Sequence, residues 1–546
     1  MRGKCLAKAF AATAATLILM AIPPVFAQES LDLGPVHIDV QNAAETDWAI
    51  STAGKNNAFN NNSNAGVSCP PNGNSSAPGC GLSTNGNSWN LMAYRFDTLI
   101  NGRVSSDTAE RFGLDNWDFF VHGRFWSNIV PLGIDGNMPS THEMNFAQHY
   151  PGNGWTATVA ENNYELDAAE AYTDLRKGRW WLRLGKQQIV YGEELGFQTL
   201  DAVNSLDFRR HSIINFSGLE FSDARYGTNA ARLTYDVGDQ LSRFGIHRAR
   251  ITAWVAQFEP DVFLPPGSAY NASFNAYETV VPGTGPYSLY NSVGEASYGA
   301  VAEWSMLGVD FSANFYSHPE RVGYFSVAGI APNRSSGIQG LNLNDPTGYY
   351  DLLLAENMPR EYIFGGMASY MIQPIYTFPG ADIINGDIVR FSGTYTPNKT
   401  LAAPGYNQQG FVRMGDLNLA VDIEKDYRWT EALPSAFILA EYNYRSASSL
   451  FGDTWLFANA RADHMFNLFL LSMQQPLPLA RWTLVNVLET EANQNFSFFE
   501  QPGVVYKPTS AQEYDVFYNF ASGTLASFEG PFQFMDEICI RAIYKF

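Results

Sequence analysis

From Trp89 to the C-terminal Phe546, apolar and polar residues alternate in segments of about ten residues separated by turn residues. Trp117, Phe119, Val121, Gly123 and Phe125 take one face, while Asp118, Phe120, His122, Arg124 and Trp126 take the other. After a turn at Lys177 and Gly178, Trp180, Leu182 and Leu184 oppose Trp181, Arg183 and Gly185. Val309, Phe311, Ala313 and Phe315 oppose Asp310, Ser312, Asn314 and Tyr316; Leu417, Leu419, Val421 and Ile423 oppose Asn418, Ala420, Asp422 and Glu424. The same period runs through 248–258, 298–305, 360–370, 387–395, 436–444 and 482–489. A period of two puts successive side chains on opposite faces, so each segment reads as a β-strand.

What lies on each face selects the architecture. The apolar faces are bounded by aromatic residues at the segment ends, and the opposite faces carry Arg, Asp, Glu, Asn and Tyr. A soluble barrel turns its apolar face inward; a membrane barrel turns it to lipid, between aromatic girdles, and keeps its interior polar. No fixed-length repeat argues for a propeller or solenoid. Past the first thirty residues no run approaches the ~18 apolar residues of a helical span. The expectation is an all-β fold: a transmembrane antiparallel barrel of about 14–18 strands with long extracellular loops. Stretches 259–297 and 318–360, rich in Pro, Gly and Asn, are expected among those loops. Their aromatics Phe274, Tyr287, Tyr290, Tyr349 and Tyr350 either pack the loops together or meet a ligand at the mouth.

The two termini agree with export. Arg2, Lys4 and Lys8 precede an apolar run from Ala9 to Ile22, then Pro23 and Pro24, and Val25-Phe26-Ala27 fits a signal-peptidase site, so 1–27 is read as a signal peptide. Residues 28–88 are read as an extended N-terminal segment followed by an Asn/Ser/Gly-rich loop, and 89–546 as the barrel. At the other end Ile538, Ile540, Ala542, Tyr544 and Phe546 share one face, with Glu537, Arg541 and Lys545 opposite. That pattern resembles the terminal strand of Gram-negative outer-membrane proteins. The resemblance implies an address read by the barrel-assembly machinery and a bacterial outer-membrane location.

Composition narrows the alternatives. Of 546 residues 46% are hydrophobic and 14% aromatic, which excludes disorder, and 16% are charged. The net charge is −20, moving to −23 once residues 1–27 are removed, which argues against nucleic acid as a partner. Cys69 and Cys80 bracket a turn-rich loop and are expected to form a disulfide in an oxidising compartment; Cys539 is left over in a strand. Two cysteines without a nearby His do not make a zinc site, and no metal or cofactor is expected.

Charge is scarce in this chain, yet one block concentrates it. Arg183, Lys186 and Gln187, then Tyr191, Glu193 and Glu194, then Asp207, Arg209 and Arg210 follow one another closely. Charges facing lipid at the midplane cost roughly 2–4 kcal/mol, so these residues are expected to line the lumen or an inward-folded loop. They then either constrict a pore and set its selectivity or form an ion-pair network that holds a loop. The sequence Arg183-Leu184-Gly185-Lys186-Gln187, then Tyr191-Gly192-Glu193, then Asn204-Ser205-Leu206-Asp207 resembles a proteobacterial outer-membrane family catalogued as domain of unknown function thirteen hundred and two. The similarity spans about residues 180–260, with Tyr191 standing where the family pattern has Trp. It implies an outer-membrane barrel associated with secreted lipid-transfer-like carriers and inner-membrane exporters, and it names no substrate.

Catalysis finds no support. His211 beside Ser212, and Asp463 beside His464, point to opposite faces of a strand, and no nucleophile elbow, paired-His motif or phosphate loop stands out. His142 and Glu143 read as part of a solvated loop. The expectation is a non-enzymatic channel or transporter for small hydrophobic, aromatic or lipid-like solutes, embedded in outer-membrane lipid. The alternatives are a non-conducting docking or assembly component for a periplasmic carrier protein and an inner-membrane exporter, and a barrel enzyme acting on envelope lipid.

Overall fold

The computed structural model describes residues 29–52, 89–128, 158–160, 164–192, 196, 199–201, 203–206, 225, 227–258, 296–321, 324–332, 350–373, 386–402, 411–448, 466–479, 481–492, 496–523, 527, 529, 532–533 and 536–546. The period-two segments form strands in chain order: β1 (Glu29–Asp32), β2 (Val36–Ser51), β3 (Trp89–Val104), β4 (Asn116–Asn128), β5 (Thr158–Ala160), β6 (Tyr164–Lys177), β7 (Trp180–Gln187) and β8 (Thr228–Gly238). There follow β9 (Ile246–Gln257), β10 (Ala296–Met306), β11 (Val309–Pro319), β12 (Tyr324–Pro332), β13 (Tyr350–Asn357), β14 (Arg360–Met371) and β15 (Ile388–Ala402). The chain ends with β16 (Phe411–Tyr427), β17 (Ala436–Arg445), β18 (Phe466–Pro476), β19 (Trp482–Glu491), β20 (Ser497–Thr509), β21 (Gln512–Ser522) and β22 (Glu537–Lys545).

Eighteen of these strands, β2 to β4, β6 to β11 and β14 to β22, pair antiparallel with their neighbours in one ring. β2 and β22 close it, from Ala43 opposite Lys545 to Ser51 opposite Glu537. Two further hydrogen bonds of 2.8 Å join the backbones of Asn42 and Phe546 in both directions. The barrel therefore begins within 28–88 and not at residue 89: the extended N-terminal segment is the strand that seals the wall. Its alternation is blurred by small residues and by Trp48 and Ile50, which bury against Met92, Tyr94 and Ile540. β1 and β5 extend the edges of β2 and β6, and β12 pairs with β13 as a separate hairpin.

The two mouths differ. At one, β6–β7, β10–β11 and β20–β21 are joined by two residues each, and the β3–β4 connection holds the short helix α1 (Ser106–Arg111). At the other lie the connections that contain 53–88, 129–157, 259–295 and the β12–β13 hairpin. This asymmetry puts the short-turn mouth in the periplasm and the long-loop mouth outside.

The faces sort as the alternation requires. Outward residues such as Leu233, Ile251, Phe391, Ile423 and Leu471 are large, apolar and exposed. Aromatic pairs bound this belt: Trp180–Tyr235 at 4.6 Å and Trp482–Tyr506 at 4.4 Å near the short turns, Phe315–Phe364 at 5.4 Å and Tyr442–Phe469 at 4.7 Å near the long loops. Inward residues are polar and paired across strands. Arg124 meets Asp167 at 3.0 and 2.7 Å, Arg541 meets Asp515 at 2.7 Å, and Arg390 meets Asp422 at 2.8 Å. In β22, Ile538, Ile540, Tyr544 and Phe546 take the outward parity and Arg541 the lumen, and Tyr544 stacks on Phe546 at 5.6 Å. A closed barrel with a lipid-facing belt is a protein of the bacterial outer membrane. Cys539 is buried and free, whereas Cys69 and Cys80, like residues 1–27, lie outside the described residues.

The belt can be tested at mid-strand. Leu471→Arg places a charge in lipid and is expected to lower unfolding free energy by about 2–4 kcal/mol, read as a reduced urea midpoint in phospholipid vesicles.

Candidate functional site: a segment that crosses the lumen

The charged block of the sequence builds a departure from the wall. At Gly185 the backbone takes φ +127°, and a Cβ there would run into the Ala171 carbonyl oxygen, so only glycine keeps β7 in register with β6. Gln187, fully buried, donates to the Ala230 carbonyl at 3.1 Å. The chain then turns inward, with the Gln188 N–H donating to Glu170 Oε1 at 3.1 Å.

Asn204 holds the base of this segment. Its side-chain oxygen accepts from the Ile189 N–H and its amide donates to the Ile189 carbonyl, both at 2.8 Å, imitating one rung of a sheet. The same amide donates to Asp201 at 2.7 Å, and Asp201 in turn accepts from Arg225. Arg321, next to the end of β11, donates to the Asn204 carbonyl. Asn204 is wholly buried, so these bonds satisfy polar groups that no water reaches. Beneath them Ile189 and Val203 pack with Trp254, Val301, Tyr316 and Ile363 of the barrel wall, and Tyr191 stacks on Tyr316 with centroids 6.1 Å apart.

The far end reaches another wall. The Gly196 N–H donates to Glu441 of β17 at 2.9 Å, and Asn443 of β17 lies 3.4 Å from the Thr199 hydroxyl. β17 is eight strands from β7 in a ring of eighteen, almost the opposite side. The described residues between Gln188 and Leu206 are thus anchored at both walls. A Cβ on Gly196 would sit 2.5 Å from the Glu441 carboxylate, so a larger residue there would push that side chain away.

On the periplasmic side of the crossing segment lies a cavity of about 270 Å³. Trp181, Arg232, Arg250, Glu303 and Ser312 of the wall line it, and Tyr191 belongs to its roof. Arg250 and Glu303 form a two-point ion pair at 2.6 Å in both bonds. Beside the cavity Arg183 grips Asp174 through two bonds of 2.8 Å and lies 3.8 Å from the Tyr172 ring centroid; Trp181 also donates to Asp174 at 2.9 Å.

The block therefore splits by role. Arg183 joins an ion-pair network, Gln187 and buried Lys186 belong to the exit from the wall, and Tyr191 faces the cavity. Glu193, Glu194, Asp207, Arg209 and Arg210 lie outside the described residues. Sequence reading missed Asp174, Arg232, Arg250, Glu303 and Glu441. Their strand parity marks them as inward, but which of them meet is set by the register of neighbouring strands and, for Glu441, by a segment 245 residues away. Among the described residues no cluster of His, Cys, Asp and Glu is arranged to hold a metal ion.

No curated protein matches the chain. Its fold is similar to several solved outer-membrane proteins. Salmonella typhi OmpF, in a complex with daunomycin, is 10% identical over 95% of this chain and 100% of its own, with a TM-score of 0.39. Acinetobacter baumannii OccAB1 is 10% identical over 93% and 95%, with a TM-score of 0.44. Escherichia coli Wzi, described as a carbohydrate-binding β-barrel involved in group 1 capsule assembly, is 9% identical over 93% and 84%, with a TM-score of 0.39. The family model described as protein of unknown function DUF1302 matches residues 8–404, a span that runs through β15 and contains the whole crossing segment. The chain belongs to the DUF1302 family.

Proposed function

We propose that the protein is an outer-membrane channel or transporter for small hydrophobic, aromatic or lipid-like solutes, and that the segment between Gln188 and Leu206 sets which solutes pass. The observation that carries this reading is the segment itself, tied to β7 through Asn204 and to β17 through Glu441 across a polar lumen. An eighteen-stranded barrel is wide enough for an aqueous channel, so a wall-to-wall crossing narrows it. A purely structural brace would serve as well at the rim, where it would leave the lumen open; this one lies above an Arg- and Trp-lined cavity. The reading assigns no catalytic residue and needs no cofactor.

Single-channel recording in a planar bilayer, with refolded mature protein, tests the reading. Wild type is expected to give discrete small steps. Asn204→Ala, which leaves both polar groups of Ile189 without their partner, is expected to loosen the segment and enlarge the steps several-fold. A correctly folded barrel that stays silent in both forms would sink the channel reading and favour a docking role.

Charge selectivity gives a second check. Glu303→Gln leaves Arg250 without its partner beside the already unmatched Arg232 and is expected to move the reversal potential under a KCl gradient toward anions, and Arg250→Gln toward cations. Equal potentials in both variants would place the ion route elsewhere.

A further inference from the structure

We infer that the cavity beneath the crossing segment is a binding site for a small amphipathic carboxylate, whose charge is met by Arg232 and whose apolar body lies against Trp181, Val301 and Met367. The inference deepens the channel reading, since it treats the lumen as a solute route, and it rests on features of the wall that the fold alone does not require.

The first is an unmatched cation. Arg183 and Arg232 stand directly opposite each other on β7 and β8. Directly opposed side chains have their Cβ atoms about 4.5–5.5 Å apart, and like charges at that distance are destabilising. Asp174 neutralises Arg183 through two hydrogen bonds. Glu303 does the same for Arg250. Arg232 has no carboxylate within ion-pair distance among the described residues; its guanidinium lies 5.4 Å from the Trp181 ring centroid. The cavity lining thus holds two arginines and one glutamate, a net positive site in a chain whose overall charge is −20.

The second is a pair of unsatisfied hydroxyls. Tyr191 and Ser312 both line the cavity, and the oxygen of each is buried without a hydrogen-bond partner among the described residues. Buried polar groups left open in this way call for a ligand or an ordered solvent molecule. A carboxylate has two oxygens with about four acceptor positions, enough to take a guanidinium together with a hydroxyl.

Size and wall chemistry separate an organic anion from an inorganic one. A cavity of about 150 Å³ already holds benzene, so 270 Å³ accommodates a single ring with its carboxylate. Chloride or acetate would leave the indole of Trp181 and the side chains of Val301 and Met367 facing empty space. Benzoate is therefore the natural probe.

Binding is measured on the detergent-solubilised, refolded barrel by calorimetry, with benzoate, benzyl alcohol and acetate as ligands. Benzoate is expected to bind saturably at one site, with benzyl alcohol and acetate at least about tenfold weaker. Arg232→Gln is expected to weaken benzoate at least about tenfold while leaving benzyl alcohol unchanged, and Tyr191→Phe to weaken benzoate by about threefold to tenfold. Arg103→Gln, at the exposed periplasmic rim, is the control and leaves affinity as it was. Benzoate and benzyl alcohol binding alike, benzoate failing to bind, or Arg232→Gln binding as wild type would each overturn the inference. Should Arg232→Gln not refold, Tyr191→Phe decides the outcome. The readout needs no conductance: benzoate bound by an electrically silent barrel keeps this site and removes the channel, and a conducting barrel that ignores benzoate does the reverse.

Discussion

In hydrocarbon no water is present to accept or donate a hydrogen bond, so every backbone group of a membrane-crossing strand must find its partner in a neighbouring strand. That constraint makes the pairing of β2 with β22 the contact on which the rest of the molecule depends. A ring missing one seam would expose two rows of N–H and C=O groups to lipid, at several kcal/mol for each unsatisfied group. It explains why a segment near the N-terminus, weak in alternation, is held beside the last residues of the chain. It also explains why the chain ends on outward Ile538, Ile540, Tyr544 and Phe546: the closing strand must face lipid on one side as fully as any other.

Closure imposes the electrostatics of the interior. With lipid outside, charged side chains on the strands have only the lumen to face, and there they meet across neighbouring strands. Arg124 with Asp167, Arg390 with Asp422 and Arg541 with Asp515 are the outcome, each made between adjacent strands. Such pairs add little net stability, because desolvation offsets most of the attraction, but leaving one partner alone is costly. The lumen wall is therefore laced with ion pairs between neighbouring strands. Arg232 breaks that pattern, and it does so beside the one described segment that leaves the wall after β7 to cross the interior.

The crossing segment shows how few residues redirect a chain. Gly185 permits the close approach of β7 to β6 just before the strand ends, and Asn204 supplies a substitute for sheet pairing once it has ended. Apolar Ile189 and Val203 then anchor the segment against Trp254 and Tyr316. The glycine and asparagine both stand in the block through which the sequence resembles its family, and their physical duties give that block a reason: the motif builds the turn into the lumen.

Much of this was legible in the sequence because a period of two is a local property. Alternation at β4, β7, β11 and β16 identifies strands, assigns each side chain to lipid or lumen, and places Arg183 inside before any partner is known. The terminal aromatic face likewise needs only its own nine or ten residues. Three things lay beyond that range. Small and bulky residues intermixed in β2 hid its place in the wall, which only β22 reveals. The contact of Gly196 with Glu441 joins residues 245 positions apart, and no local pattern announces it. And Arg232 is conspicuous only once the register of β7 and β8 sets it opposite Arg183, with the nearby acids already engaged. The sequence by itself determined the strand, its two faces and its membrane, since each follows from neighbours along one chain. The tertiary structure alone decided where the ring closes, what crosses it and which charge stays unmatched, since those depend on which distant strands share a wall.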